Sequence, residues 1–178
     1  TERAYKTAKD YVAEWLLDEG LGLILVGPAG CGKSHIAAAV VQALMDKGSL
    51  CIFQSVPDLL KKIRATYGNE GNEGADMVKA LEDCDLLVLD DLGSERWTAW
   101  AEEQIYTLID HRYRNEKPIV VTTNLKLNKL EQVLGTRIMD RLVEMCRAVS
   151  MDCTSYRKKR AELRKLGIGG EKPCASSI

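Results

Sequence analysis

The sequence has few of the residues from which metal centres are built. It contains two histidines, and no two of its six cysteines are spaced as Cys-x-x-Cys. Structural zinc sites take four Cys or His ligands, usually in closely spaced pairs, so this pattern argues against a zinc protein. Cys51 and Cys84 lie inside apolar stretches. A reduced, buried thiol is the simplest interpretation there, which predicts a cytoplasmic protein.

The sequence also lacks an excess of charge of one sign and a long apolar segment. Lys and Arg number 25 and Asp and Glu 26, which gives a net charge of −1. Contacts with nucleic acid would therefore depend on local basic patches. No apolar run is long enough to cross a bilayer, so we expect no membrane partner. The chain opens at Thr1 within a helical pattern, and we expect it to be a fragment of a longer protein.

Short apolar runs alternate with amphipathic segments along the 178 residues. The runs predict strands at 23–26, 50–54, 86–89, 118–122 and 147–152. The amphipathic segments predict helices at 3–19, 33–47, 57–67, 75–81, 97–115, 127–133 and 136–145. This alternation is typical of an α/β domain with a mostly parallel sheet, whose ligands bind at the carboxyl ends of the strands. We expect one domain over 1–166 and a flexible tail over 167–178.

A glycine-rich segment between the first strand and the next helix fits the pattern G-x-x-x-x-G-K-[ST]. Glycines let backbone N–H groups turn inward around phosphates, and the start of the helix adds its positive dipole end. Lys33 is then expected to reach the β- and γ-phosphates of ATP, and Ser34 to bind Mg²⁺. A chance glycine-rich loop is the alternative. The predicted nucleotide-binding residues are Gly27, Pro28, Ala29, Gly30, Cys31, Gly32, Lys33, Ser34 and His35.

Two acidic residues follow the third predicted strand, Leu86-Leu-Val-Leu. Asp90 would hold Mg²⁺ directly or through water, and Asp91 would orient or deprotonate the attacking water. An Asp-Asp turn that ends a strand is the alternative. Asn124 follows the fourth strand, where a polar side chain can point at the γ-phosphate, although Asn is also common in turns.

Six segments in this order and spacing resemble the AAA+ domain of the DnaC/DnaI helicase loaders and the related IstB transposition ATPases. They are GPAGCGKS (27–34), LLVLDDLG (86–93), WTAWAEEQIYTLIDHRY (97–113), VTTNL (121–125), TRIMDRLVEMC (136–146) and SYR (155–157). The resemblance implies a parallel five-stranded sheet between helices, with a reduced or absent lid. It also implies an ATPase that assembles into homo-oligomers with ATP and acts on DNA.

The resemblance assigns roles to residues that spacing alone leaves open. It implies that Asn124 is the sensor 1 residue and that Arg141 is the arginine finger, which reaches a neighbour's ATP. Arg137, one helical turn before Arg141, would be a supporting cation, and Arg157 would be the sensor 2 arginine. Taken alone, each of these arginines is more often a solvated surface residue.

The family also carries a helical insertion that contacts single-stranded DNA, which corresponds here to about 57–82. Lys61, Lys62 and Arg64 are the candidate contacts, although a basic face of this kind is usually only solvated. The family's helicase-binding region precedes its ATPase domain. We therefore expect contact with a replicative helicase to involve a region that is not in this sequence.

Two departures from the family and three alternatives remain at this point. Cys31 lies inside the glycine-rich loop, where it is tolerable because that position contributes backbone. Many AAA+ proteins have Glu where Asp91 stands, and Asp is shorter by one methylene. A nucleotide-dependent binding module with feeble hydrolysis is therefore one alternative. A transposition helper acting on duplex DNA is the second. A small-molecule kinase is the third, but it would need neither Asn124 nor an arginine supplied by a neighbour.

Overall fold

A computed structural model describes residues 2–14, 20–66, 73–94, 96–152 and 155–156. The helices are α1 (Glu2–Glu14), α2 (Lys33–Met45), α3 (Val56–Thr66), α4 (Glu73–Asp83), α5 (Ala99–Arg114), α6 (Leu127–Leu134) and α7 (Thr136–Met145). The strands are β1 (Gly22–Val26), β2 (Cys51–Ser55), β3 (Leu86–Asp90), β4 (Ile119–Thr123) and β5 (Cys146–Ser150). None of the helices in the described part of the chain has the length and hydrophobicity of a membrane-spanning segment.

The five strands form one sheet in the order β2-β3-β4-β1-β5, and each of its four pairings is parallel. The central strands β3, β4 and β1 are short and almost wholly apolar, as expected for strands that are covered on both faces. The predicted parallel sheet is confirmed. Its topology brings the carboxyl ends of β1, β3 and β4 side by side at one edge.

Side chains of successive strand residues point to opposite faces, so the sheet supports two hydrophobic cores. Ile24 and Leu87 belong to the core on one face, which is completed by α3 to α7. Leu23 and Val88 belong to the core on the other face, which is completed by α1 and α2. The result is a three-layer α/β/α domain.

The predicted strands and helices are confirmed to within about three residues where the structure describes them. The helix predicted over 3–19 is described only as Glu2–Glu14. Residues 15–19 lie outside the described residues, as do the predicted tail and any lid after 156. The helix α4 ends at Asp83, later than the prediction of residue 81, and a buried arginine donates to the carbonyl oxygens of Leu81 and Glu82 in its last turn.

That buried arginine, Arg112 of α5, is fully buried, although its setting in the sequence suggests a solvated helix end. Its guanidinium donates to the backbone carbonyls of Leu81, Glu82, Cys84, Asp85 and Pro118. Burial lowers the pKa of Arg112 below its ordinary value. This one side chain joins the end of α4 to the segments that enter β3 and β4.

Candidate nucleotide-binding site

The glycine-rich loop lies between β1 and α2 at the carboxyl edge of the sheet, as predicted. Gly30 and Gly32 have φ angles of 81° and 96°, which glycine adopts without strain. A side chain on Gly27 would meet the carbonyl oxygen of Met151 at 2.6 Å, so that position has no room for one. Gly32 precedes α2 and provides no side-chain cap, which leaves the first N–H groups of the helix available to a phosphate.

Lys33 lies beneath this loop and is only 6% exposed. Its Nζ donates to the carbonyl oxygens of Gly27 and Pro28 at 2.8 and 3.0 Å and to Oδ1 of Asn124 at 2.7 Å. Within the described residues, no carboxylate forms an ion pair with Lys33. A buried ammonium group whose partners are all neutral is suited to a polyphosphate, which supplies the missing negative charge.

Asn124 connects the loop to the acidic end of β3. Its side-chain amide donates to Oδ1 of Asp91 at 2.6 Å while its Oδ1 accepts from Lys33. The three side chains come from distant parts of the sequence, at the start of α2 (Lys33) and just after β3 (Asp91) and β4 (Asn124). Sequence analysis predicted each of them separately, and the structure joins them in one hydrogen-bonded series.

Thr122 is a site residue that the sequence analysis did not select. Its hydroxyl donates to Oδ1 of Asp90 at 2.7 Å and accepts from the backbone N–H of Asp91 at 2.9 Å. Asp91 has a φ of 62°, a left-handed conformation that is uncommon for residues other than glycine. Thr122 is 1% exposed, so it holds both acidic residues from within the sheet. The signal in the sequence was a polar residue at the end of an otherwise apolar strand.

The candidate Mg²⁺ ligands fit that ion's chemistry. Asp90 ends β3 and keeps one carboxylate oxygen outside its bond to Thr122, and Ser34 lies exposed in the first turn of α2. Mg²⁺ is usually held by one or two protein oxygens together with waters and substrate phosphates. An oxygen-only pair of this kind suits a phosphate-bound Mg²⁺. Of the other predicted nucleotide-binding residues, Cys31 is buried, whereas Pro28, Ala29 and His35 are exposed.

The predicted arginines lie apart from this network. Arg141 of α7 bonds to Asp110 and Tyr106 of α5, and Arg137 stacks over the Tyr106 ring with its guanidinium 4.2 Å from the ring centre. Arg157 lies outside the described residues. In the described part of the chain, neither Arg137 nor Arg141 bonds to the glycine-rich loop of its own subunit.

The predicted DNA-contact residues lie on exposed positions of α3. Lys61 pairs with Asp58 at 3.2 Å, and Lys62 donates to Gln54 at 3.2 Å. The guanidinium of Arg64 stacks 4.5 Å from the ring centre of Trp100. The lysine contacts are surface contacts of small energy, so both lysines are available to an anionic partner.

Comparisons with known proteins agree with this geometry. The model of the family described as IstB-like ATP binding protein matches residues 8–164. The chain is 29% identical over 140 residues to the replicative helicase loader DnaC of Escherichia coli K12, covering 78% of this chain and 56% of that protein. It is 30% identical over 159 residues to a putative ATP-binding protein in an insertion sequence of Mycobacterium tuberculosis, covering 85% and 62%.

A solved structure gives the same answer for the fold. The crystal structure of a DnaC helicase loader superposes with a TM-score of 0.77 at 31% identity, covering 85% of this chain and 89% of that one. The predicted AAA+ P-loop fold is therefore confirmed. The chain spans about six-tenths of the length of the two curated relatives, at 56% and 62%. The chain belongs to the family of IstB-like ATP-binding proteins.

Proposed function

We propose that this chain is the ATPase domain, over 1–166, of a DNA replication protein of the helicase-loader type. The observation that carries the ATPase part of the proposal is the hydrogen-bonded series Lys33–Asn124–Asp91 at the end of a family-typical glycine-rich loop. The loader part is suggested by the similarity to a replicative helicase loader. The hydrogen-bonded series joins a phosphate-binding cation to a carboxylate through an amide. A site that only stored a nucleotide would not need the carboxylate in that position.

In the proposed reaction, Lys33 exchanges its carbonyl partners for the β- and γ-phosphates of ATP. Asn124 then lies between the γ-phosphate and Asp91, and the Asp91 carboxylate orients the water that attacks phosphorus. Mg²⁺ held through Ser34 and Asp90 would neutralise charge that develops on the phosphates. The products are ADP and phosphate.

A further positive charge at the γ-phosphate, beside that of Lys33, comes in this proposal from a second copy of the chain. Arg141 faces α5 of its own subunit and is 22% exposed, and among the described residues it has no bond to its own glycine-rich loop. An arginine supplied by a neighbour links hydrolysis to assembly, because it binds the triphosphate better than the diphosphate. Arg137 supports the same surface, and Arg157 is proposed as the sensor 2 arginine.

Single-stranded DNA is the proposed nucleic-acid partner, contacted by Lys61, Lys62 and Arg64 of α3. Contacts of Lys and Arg with phosphate are tolerant of sequence and sensitive to salt. A replicative helicase is the proposed protein partner, and a region outside this sequence would provide much of that contact. This partner is suggested by the E. coli relative, whose name is replicative helicase loader.

A transposition helper that acts on duplex DNA is the second candidate. It is favoured by the family match and by the M. tuberculosis relative, which is named as a protein of an insertion sequence. Both candidates use the same ATPase centre, so only the nucleic-acid preference separates them.

Binding of a fluorescent single-stranded oligonucleotide, with ATP and with ADP and in competition with duplex DNA, tests the proposal. We expect tighter binding to the single strand with ATP. A preference for duplex would support the transposition helper instead. Lys33→Ala is expected to lose ATP binding, and Arg141→Ala to retain ATP binding but lose turnover. Normal turnover in Arg141→Ala would contradict the role assigned to that arginine.

A further inference from the structure

The carboxylate of Asp110 lies almost buried between α5 and α7, at 8% exposure. Its Oδ1 accepts from Nε of Arg141 at 2.5 Å, and its Oδ2 accepts from Arg114 at 2.8 Å. Arg114 lies one turn further along the same helix and is 70% exposed. Arg141 comes from the other helix, so the two cations approach Asp110 from different elements.

The remaining contacts of Arg141 fix its guanidinium in one orientation. One terminal nitrogen donates to the carbonyl oxygen of Arg137 and the other donates to the hydroxyl of Tyr106, both at 3.0 Å. The Tyr106 hydroxyl lies 3.4 Å from Oδ1 of Asp110, which closes a small network around the carboxylate. The rings of Tyr106 and Tyr113 lie 4.9 and 5.6 Å from the guanidinium carbon.

A count of donors shows what this arrangement leaves free. A guanidinium has five N–H groups, one on Nε and two on each terminal nitrogen. Within the described residues, Arg141 uses the Nε group and one group on each terminal nitrogen. One N–H therefore remains on each terminal nitrogen, and an arginine can use N–H groups of both terminal nitrogens to bind two oxygens of a phosphate.

We propose that Asp110 is a positioning residue that holds Arg141 in the orientation in which it reaches the γ-phosphate of ATP bound to a second copy of the chain. Tyr106 is the second member of this support. The inference rests on the proposed function, because it assumes that Arg141 acts across a subunit contact. It goes further by assigning the orientation of that arginine to two residues of α5.

A purely structural ion pair between α5 and α7 is the competing explanation, and a matched pair of substitutions separates the two. Asp110→Asn keeps the size of the side chain and removes its charge. Arg114→Gln removes the other ion pair of the same carboxylate and leaves Arg141 bound. We expect Asp110→Asn to lower kcat about tenfold to a hundredfold, since a small misplacement of a catalytic group has effects of this size. We expect Arg114→Gln to behave like the wild type.

The affinity for a fluorescent ATP analogue separates a positioning role from a folding defect, because a folding defect would lower this affinity as well as kcat. We expect it to stay within about twofold of the wild-type value in Asp110→Asn, because the chain's own glycine-rich loop is untouched. Tyr106→Phe, which keeps the ring and removes only the hydroxyl, is expected to lower kcat in the same direction. Wild-type kcat in both Asp110→Asn and Tyr106→Phe would overturn the proposal.

Mixing of subunits tests whether Asp110 acts across the contact. Lys33→Ala has no working ATP site but an intact Arg141, so it is expected to restore turnover to Asp110→Asn, which has the converse defect. Lys33→Ala that also carries Asp110→Asn is expected to restore none. If the single Lys33→Ala chain fails to rescue Asp110→Asn but rescues Arg141→Ala, the role of Asp110 is wrong. If it rescues neither, the proposed action of Arg141 on a second copy is wrong.

Discussion

Thr122 donates its hydroxyl to Oδ1 of Asp90 across 2.7 Å, so a side chain of β4 holds the carboxylate that ends β3. In the parallel register Leu89 lies opposite Val121, so the residues that follow them, Asp90 and Thr122, are also neighbours. The same hydroxyl accepts from the N–H of Asp91 and so supports its left-handed backbone. One buried oxygen thus orients both acidic residues of the candidate site.

Replacing Thr122 with Val removes this oxygen and keeps the shape of the side chain. We expect Thr122→Val to lower kcat for ATP hydrolysis about tenfold and to raise the Mg²⁺ concentration needed for half-maximal turnover. Loss of a residue that orients a metal ligand typically costs about tenfold to a hundredfold in metal affinity or activity. Steady-state ATPase assays over a Mg²⁺ titration measure both quantities.

Thr123→Val is the matched control for that experiment. Thr123 is equally buried, but its hydroxyl donates to the carbonyl of Leu92 rather than to an acidic side chain. We expect Thr123→Val to lose about as much stability as Thr122→Val but to leave the Mg²⁺ requirement unchanged. The same Mg²⁺ shift in both variants would show that the effect comes from the sheet and not from the bond to Asp90.

The sequence was sufficient to predict the strands and their parallel arrangement, and to select Lys33, Asp91 and Asn124 separately as site residues. These follow from local patterns: short apolar runs, a glycine-rich loop, and polar residues just after a strand. The carboxyl ends of parallel strands meet at one edge, so residues far apart in the chain could be expected to lie together. In the structure, two hydrogen bonds at 2.7 and 2.6 Å join the three side chains.

The partners of Asp110 and Arg112 could not be predicted in this way. Both lie in the run Asp-His-Arg-Tyr-Arg at the end of a helix, where charged residues are usually solvated and interact with the helix dipole. Their burial depends on α7 and on the segment after α4, which pack against α5 from distant parts of the sequence. Spacing within one helix carries no information on such contacts.

The buried guanidinium of Arg112 leads to a prediction about stability. We expect Arg112→Met to lower the free energy of unfolding by about 2–4 kcal/mol, because several buried carbonyls lose their donor. Removing a desolvated charge offsets part of that loss. Arg114 lies two residues further along the same helix, and its side chain is 70% exposed. We expect Arg114→Met to lower the free energy of unfolding by less than about 1 kcal/mol. Urea denaturation of both variants makes the comparison, and equal stabilities would contradict it.

The lysines of α3 allow a quantitative test of DNA contact. Each phosphate contact with single-stranded nucleic acid contributes about 0.7 to the slope of log affinity against log salt concentration. We expect the double substitution Lys61→Ala, Lys62→Ala to reduce the magnitude of that slope by about 1.4. Lys6 and Lys9 are exposed on α1, and the double substitution Lys6→Ala, Lys9→Ala is the control, because it removes the same charge from a different surface. An unchanged slope in the α3 variant would mean that the phosphates bind elsewhere.

Cys51, on the edge strand β2, leads to a prediction about pH. Burial, followed by the charges of Asp85 and Cys84, raises the pKa of the Cys51 thiol from 9.0 to about 11. Only the thiolate reacts with iodoacetamide, so at pH 8 the folded protein is expected to label Cys51 about a hundredfold more slowly than a thiol of ordinary pKa. The rate is expected to rise about tenfold per pH unit and to level off near pH 11. Mass spectrometry of timed samples at several pH values measures this profile.

The raised pKa of Cys51 also makes the free energy of unfolding depend on pH. Below pH 9 the thiol is protonated in both states, and between pH 9 and pH 11 the unfolded chain loses that proton first, so this contribution to stability falls as pH rises. Asp85→Asn keeps an oxygen that can accept from the N–H of Leu50 and removes the charge beside the thiol. It is expected to lower the pKa of Cys51 and to speed labelling at pH 8. A labelling profile that levels off near pH 9 in the unaltered protein would show that burial does not protect this thiol.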